Sequence, residues 1–353
     1  AALGAAERDD LRSDPRTRAM AITMPMKLIE PVATEAADEG AAGNTWGIEA
    51  VIAHDSPFDG SGITVAVLDT GIQSDHPAFA GIDLVQKNFT TESDDDLNGH
   101  GTHCAGTIFG QDSDGLRIGV ARNVYRALIG KVLGEGGGDS TTVSRAIQWA
   151  VNNGAHVISM SLGIDFPGFV KTLVEVHGLP IPAATSIALE GYRSNINLFT
   201  ELSRFVQANS LFAQGTVIVA ASGNESDRPN YEIAVAPPAA STGIVAVGAL
   251  QNTPEGYTVA GFSNNQVDVS APGVDIVSAR LDGGLVSFSG TSMATPHAAG
   301  VAALWAQRQL DTTGQVNQLT LVSQLIASGT MDPLAEGMAA EDVGTGIVQA
   351  PLR

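Results

Sequence analysis

A single cysteine, Cys104, stands among 353 residues. That excludes an internal disulfide framework and any multi-cysteine zinc site, while leaving the compartment open. Lysine is almost as scarce, at four residues against fourteen arginines. These 18 cations face 38 acidic side chains, for a formal net charge of −20. Such a field repels nucleic acid and anionic membranes, and neither is expected as a partner. The surplus of Asp and Glu is read as a solubility device, with a salty habitat as the alternative. No apolar run reaches the roughly 20 residues needed to span a membrane. The chain does not open as a signal peptide and starts at Ala1 rather than Met, which fits either a missing upstream leader or a trimmed boundary.

What is abundant is apolar surface and glycine. With 44% hydrophobic and 16% charged residues the chain can bury a large core, in one large domain or two average ones. Forty glycines suit many tight turns and close backbone approaches. Short β-rich runs at Ile63–Leu68, Tyr125–Leu133, His156–Leu162, Thr216–Ala221 and Ile244–Leu250 alternate with helical candidates. The helices are placed near Gly101–Phe109, Ser140–Asn153 and Ser292–Gln307. This alternation predicts an α/β fold with a mostly parallel sheet covered on both faces, and chemistry beyond the strands' carboxyl ends. Residues 1–45 have no sustained periodicity and read as an N-terminal extension to a domain spanning 46–353. Residues 164–214 read as an insertion carrying one amphipathic helix through Leu198, Leu202, Phe205, Val206 and Leu211. The closing stretch, 331–353, is punctuated by glycine.

Three motifs carry the chemistry. Gly290-Thr291-Ser292-Met293-Ala294-Thr295-Pro296-His297 puts a serine at the start of an apolar helix, where free N–H groups favour a developing oxyanion. A lone serine there is ordinarily a cap, so it needs a base and an orienting acid. His100 in Asn98-Gly99-His100-Gly101-Thr102-His103-Cys104-Ala105-Gly106 is the candidate base. His103 shares its helical face, but no HExxH motif accompanies the pair, which weighs against metal binding. Asp69 ends the apolar strand of Ile63-Thr64-Val65-Ala66-Val67-Leu68-Asp69-Thr70-Gly71. A solvated turn aspartate is the plain alternative; an aspartic protease would need a second Asp-Thr-Gly triplet, which is absent.

These motifs, in the order Asp, His, Ser, resemble those of the subtilases, the subtilisin-like serine protease family. The resemblance spans roughly Trp46 to Pro351. It implies a three-layer α/β/α fold and an endopeptidase that needs no cofactor for catalysis. Ser292 becomes the nucleophile, His100 its base, Asp69 the residue that orients the base and Asn224 the oxyanion-hole side chain; His103 and His297 become structural neighbours. By the same resemblance Ser161, Leu162 and Gly163 pair with an extended substrate on one side, and Gly134, Gly136 and Gly138 on the other. Ala221, Ser222 and Gly223 would wall a roomy pocket for the residue before the scissile bond. Cys104 resembles the cysteine of the proteinase K-like and kexin-like branches, which lies under the histidine.

The chain also departs from the pattern. The 164–214 insertion falls between substrate-contacting segments, and either a cleft wall or a surface embellishment fits it. Structural calcium, a family habit, is weakly matched: Ala78-Phe79 follows His76-Pro77 where an acidic ligand is usual. Asp94-Asp95-Asp96, Asp112 and Asp114 could bind a hard cation, but a solvated acidic run is the favoured reading. Residues 10–30 faintly resemble the end of a pro-segment; an inhibitory arm and an extension packed on the body both remain open. Polypeptide substrates, a monomer and secretion are expected, with an intracellular role the alternative. A peptide ligase or processing enzyme using the same triad, or an inactive scaffold, are the competing functions.

Overall fold

The computed structural model describes residues 4–33, 43–210 and 213–353. In the strand Thr64–Asp69 every residue is buried. Val65 and Val67 enter one core, Ala66 and Leu68 the other. A strand that is apolar on both sides requires cover on both. The result is an eight-stranded sheet. Its order is Gly256–Val259, Val245–Thr253, Val217–Ala221, Val157–Met160, Thr64–Asp69, Arg126–Lys131 and Asp83–Asn88, with Val269–Pro272 beside Val245–Thr253. All pairings are parallel except that between Val245–Thr253 and Gly256–Val259. Helices His100–Phe109 and Thr291–Thr313 cover one face; Ser140–Asn152 and Ile181–Asn209 cover the other. This is the expected three-layer α/β/α architecture.

All five sequence-read strands and three helices are present. The reading missed the edge strand Asp83–Asn88, whose side chains are mostly half-buried or exposed and therefore carry little apolar signal. It also took the insertion for one helix. Two are present, Phe166–Glu175 and a 29-residue helix Ile181–Asn209. Leu198, Leu202, Phe205 and Val206 lie on the second; Leu211 lies outside the described residues.

The N-terminal extension is not merely an appendage. After the helix Ala5–Ser13 it forms the strand Pro25–Leu28, sandwiched antiparallel between Leu162–Ile164 and Gly138–Asp139. Met24, Met26 and Leu28 alternate into the second core, a period of two that is only five residues long. The chain then continues to Val32–Ala33, which pairs with Phe288 and Ser289. Asn195 of the long insertion helix donates to the Ile22 carbonyl at 2.9 Å. Gly191 leaves room for the arm there, since a Cβ would sit 2.8 Å from Ile22 Cδ1. The insertion thus grips the arm.

Candidate active site

Asp69 ends its strand beside the loop that leads to His100. His100 Nδ1 meets Asp69 Oδ1 at 2.8 Å, with both side chains about 1% exposed. Burial disfavours the charged imidazole, but the adjacent Asp69 carboxylate together with Cys104 outweighs it and holds the His100 pKa well above 6.5. Gly101 permits this approach: a Cβ there would stand 2.2 Å from the Gly71 carbonyl oxygen. The other imidazole nitrogen, Nε2, is buried and has no hydrogen-bond partner among the described residues.

A second carboxylate fixes this geometry. Asp96, 5% exposed, accepts from Thr70 Oγ1, Asn98 N and Gly99 N through Oδ1, and from Thr102 N and Oγ1 through Oδ2. It ties the residue after Asp69 to the first turn of the His100 helix. This corrects the reading of Asp96 as part of a solvated run. Its oxygens are taken by protein donors and Asp112 is forked onto Arg122, so neither fits a cation site. Asp96→Asn is expected to slow the reaction of Ser292 with a fluorophosphonate about 100-fold through misplacement of His100. It should also lower the thermal midpoint, because an amide group would face backbone N–H donors. Unchanged reactivity with a lowered midpoint would reduce Asp96 to a structural role.

Ser292 lies in the first turn of the helix Thr291–Thr313, whose early N–H groups have no intrahelical acceptor. Pro296 sits inside that helix four residues on, so the Ser292 carbonyl loses its usual donor. Ser161 Oγ at 3.1 Å and Cys104 Sγ at 3.4 Å replace it. Burial raises the Cys104 thiol pKa and keeps it protonated for this task; its sulfur lies 3.7 Å from His100 Nδ1. Ser161 therefore serves the Ser292 helix as well as the cleft, which its motif did not reveal.

Asn224 is aimed by its oxygen, which accepts from Thr291 N and Oγ1, both at 2.9 Å. Its Nδ2 faces the cleft, and the cleft is filled by the arm. Ile29 N donates to the Ser161 carbonyl at 3.4 Å, Leu28 lies opposite Leu162, and Lys27 lies opposite Gly163. On the other side Gly138 pairs with Met26. Gly137, at φ +82°, lets the loop run against the Met26 carbonyl, where a Cβ would come within 2.7 Å. Gly134 closes that loop onto Gly137, and Gly136 is open. Ala221, Ser222 and Gly223 form the turn into Asn224 and make no hydrogen bond to the arm among those described. At the centre, Ser292 Oγ donates to the Ile29 carbonyl at 2.9 Å, while Asn224 Nδ2 donates to the next carbonyl, Glu30, at 2.9 Å. Serine and asparagine thus hold two successive carbonyls.

The two remaining histidines of the motifs stand apart from this cluster. Burial takes His103 down to about 3, with Nε2 on the Ile276 carbonyl and the ring stacked on Phe288. Burial likewise takes His297 to about 4, on the Met293 carbonyl.

A family profile described as the subtilase family matches residues 60–346. The chain is 32% identical over 329 residues to alkaline serine exoprotease A of Vibrio alginolyticus, covering 89% of this chain and 52% of that protein. It is 36% identical over 272 residues to subtilisin Savinase of Lederbergia lenta, covering 74% and 84%. To an intracellular serine protease of Paenibacillus polymyxa it is 33% identical over 254 residues, covering 70% and 68%. The chain spans only about half the length of the first of these relatives.

Proposed function

The chain belongs to the subtilase family, and from that premise we propose that it is a serine endopeptidase whose own N-terminal arm occupies its cleft as an uncleaved substrate mimic. The observation that carries this reading is the arm strand seated between Leu162–Ile164 and Gly138–Asp139 with its carbonyls on Ser292 and Asn224. Pairing of an extended chain on both sides is how a sheet edge recognises polypeptide.

In turnover, Ser292 Oγ attacks the carbonyl carbon and its proton passes to His100 Nε2, the nitrogen left without a partner. Asp69 holds the tautomer and steadies the imidazolium. The Ser292 N–H and Asn224 Nδ2 converge on one oxygen, which becomes the oxyanion. His100 then gives its proton to the leaving amine, and water attacks the acyl-enzyme. In the arm-filled cleft these conditions are unmet. The Ser292 proton goes to the Ile29 oxygen rather than to His100, and Asn224 is engaged one residue further on. The arm binds but is not attacked. Secretion is the location the resemblance implies, with the intracellular relative as the alternative.

Intact-mass spectrometry after fluorophosphonate treatment, beside Ser292→Ala, tests this reading. Its pH dependence is a second check. His100 must be neutral to accept a proton, so Ser292 reactivity is expected to rise about tenfold per pH unit and level off above 6.5, at the raised His100 pKa. A raised folded-state pKa also stabilises the fold below 6.5, and that contribution is lost as pH rises through the folded value. The stability deficit of His100→Gln should therefore shrink on the alkaline side in thermal unfolding at stepped pH. A deficit that grows with pH would contradict the pairing.

A further inference from the structure

Lys27 projects from the arm strand between two carboxylates of the body. Its Nζ lies 3.5 Å from Asp165 Oδ1 and 3.7 Å from Glu225 Oε1. Neither acid belongs to the arm. Asp165 follows the cleft strand Leu162–Ile164 and caps the first insertion helix, accepting from Gly168 N at 3.1 Å. Glu225 follows Asn224 and is held by Asn264 Nδ2 on its second oxygen at 2.8 Å, which leaves Oε1 for Lys27. The pair is thus preset by its own surroundings.

Register makes the arrangement a reading device. The Lys27 backbone is opposite Gly163, two residues before Ile29. Any strand that binds in this register places its own side chain between the same carboxylates. Beside them opens a largely apolar cavity of about 370 Å³, walled by Ile164, Phe166, Leu189, Tyr192 and Ala236. Such a wall accepts the methylene stem of a long basic side chain while its charge reaches the acids. Four of these residues, and Asp165 itself, come from the 164–214 insertion.

Resting on the endopeptidase reading, we propose that Asp165 and Glu225 select polypeptide substrates with lysine or arginine two residues before the residue whose carbonyl is attacked. The arm is held partly by satisfying this preference. Asp165 and Glu225 are 29% and 41% exposed, so the selection is modest and screened by salt. It should amount to about tenfold in kcat/KM for Lys over Glu at low ionic strength.

The test uses the 353-residue chain opened by Met26→Asp and Ile29→Asp, which place carboxylates at two buried arm positions. Three quenched peptides, identical except for Lys, Gln or Glu at the tested position, are compared on this chain and on the same chain with Asp165→Asn and Glu225→Gln. The expected result is Lys above Gln above Glu, compressed at 0.5 M salt on the order of the screening expected there. The Lys-to-Glu ratio should fall towards one when both acids are neutralised. Flat ratios among cleaved peptides, or a ratio that survives the double neutralisation, overturn the inference alone. No cleavage together with an unreactive Ser292 sinks the endopeptidase reading and this inference with it. A second measurement needs no arm substitution. On the otherwise unaltered chain, Asp165→Asn with Glu225→Gln should speed fluorophosphonate labelling of Ser292 several-fold, because Lys27 loses both partners, and an unchanged rate overturns the proposal.

Discussion

Replacing Ser292 by alanine is expected to cut peptide hydrolysis by about 10⁶-fold, a magnitude carried over from the serine of subtilisin itself rather than derived for this chain. The physical case rests on the lack of a substitute. The chain's one thiol, Cys104, is kept protonated by burial and is engaged on the Ser292 carbonyl, so it offers no ready replacement. Residual rate in the variant would come from Asn224 and strand binding alone, a contribution of roughly 10³–10⁴ over water. By intact mass, the parent should gain one phosphonyl group and the variant none. An adduct on the variant would mean another nucleophile serves, and no adduct on an arm-opened parent would mean the triad is inert.

Opening the arm should have the next largest effect, in the opposite direction. A tethered strand has an effective concentration near millimolar, and a micromolar intrinsic affinity would leave about one cleft in a thousand free. Met26→Asp with Ile29→Asp removes two buried apolar anchors, at 1% and 3% exposure, and sets carboxylates in their place. Both peptide turnover and Ser292 labelling are expected to rise about 100- to 1000-fold. The two should rise together, since one event frees both the hydroxyl and Asn224. Labelling that rises while turnover does not would show that the arm blocks the serine but is not a substrate mimic. Because Met24, Met26 and Leu28 also fill the second core, the opened chain should melt at a lower temperature.

The main layers and the Asp69, His100 and Ser292 neighbourhoods were legible because their signals are local. An apolar strand ends in Asp69, and small residues surround His100 and Ser292. What escaped notice depends on partners distant in sequence. Met24, Met26 and Leu28 make too brief an alternation to stand out, and gain meaning only from the strands on either side. On paper Asp96 is one of three equal acids; its burial comes from a loop closing onto Thr70 and Thr102. The first half of the helix Ile181–Asn209 was missed because Ile181, Ile187 and Leu189 are exposed and blur the period. Pro296 stands four residues after Ser292, which requires some other group to reach the serine's carbonyl, as Ser161 and Cys104 do.

The order of these pieces along the chain bears on how the cleft comes to be filled during synthesis. Polypeptides emerge from the ribosome N-terminus first, so the Pro25–Leu28 segment is available before Asp69 and His100, and long before the helix Thr291–Thr313 can dock. Until that helix is in place Ser292 and His100 are not brought together, and when it docks, the strand destined for the groove is already tethered nearby. The cleft can therefore form around its occupant, so that a newly made molecule need never pass through a stage with an empty cleft.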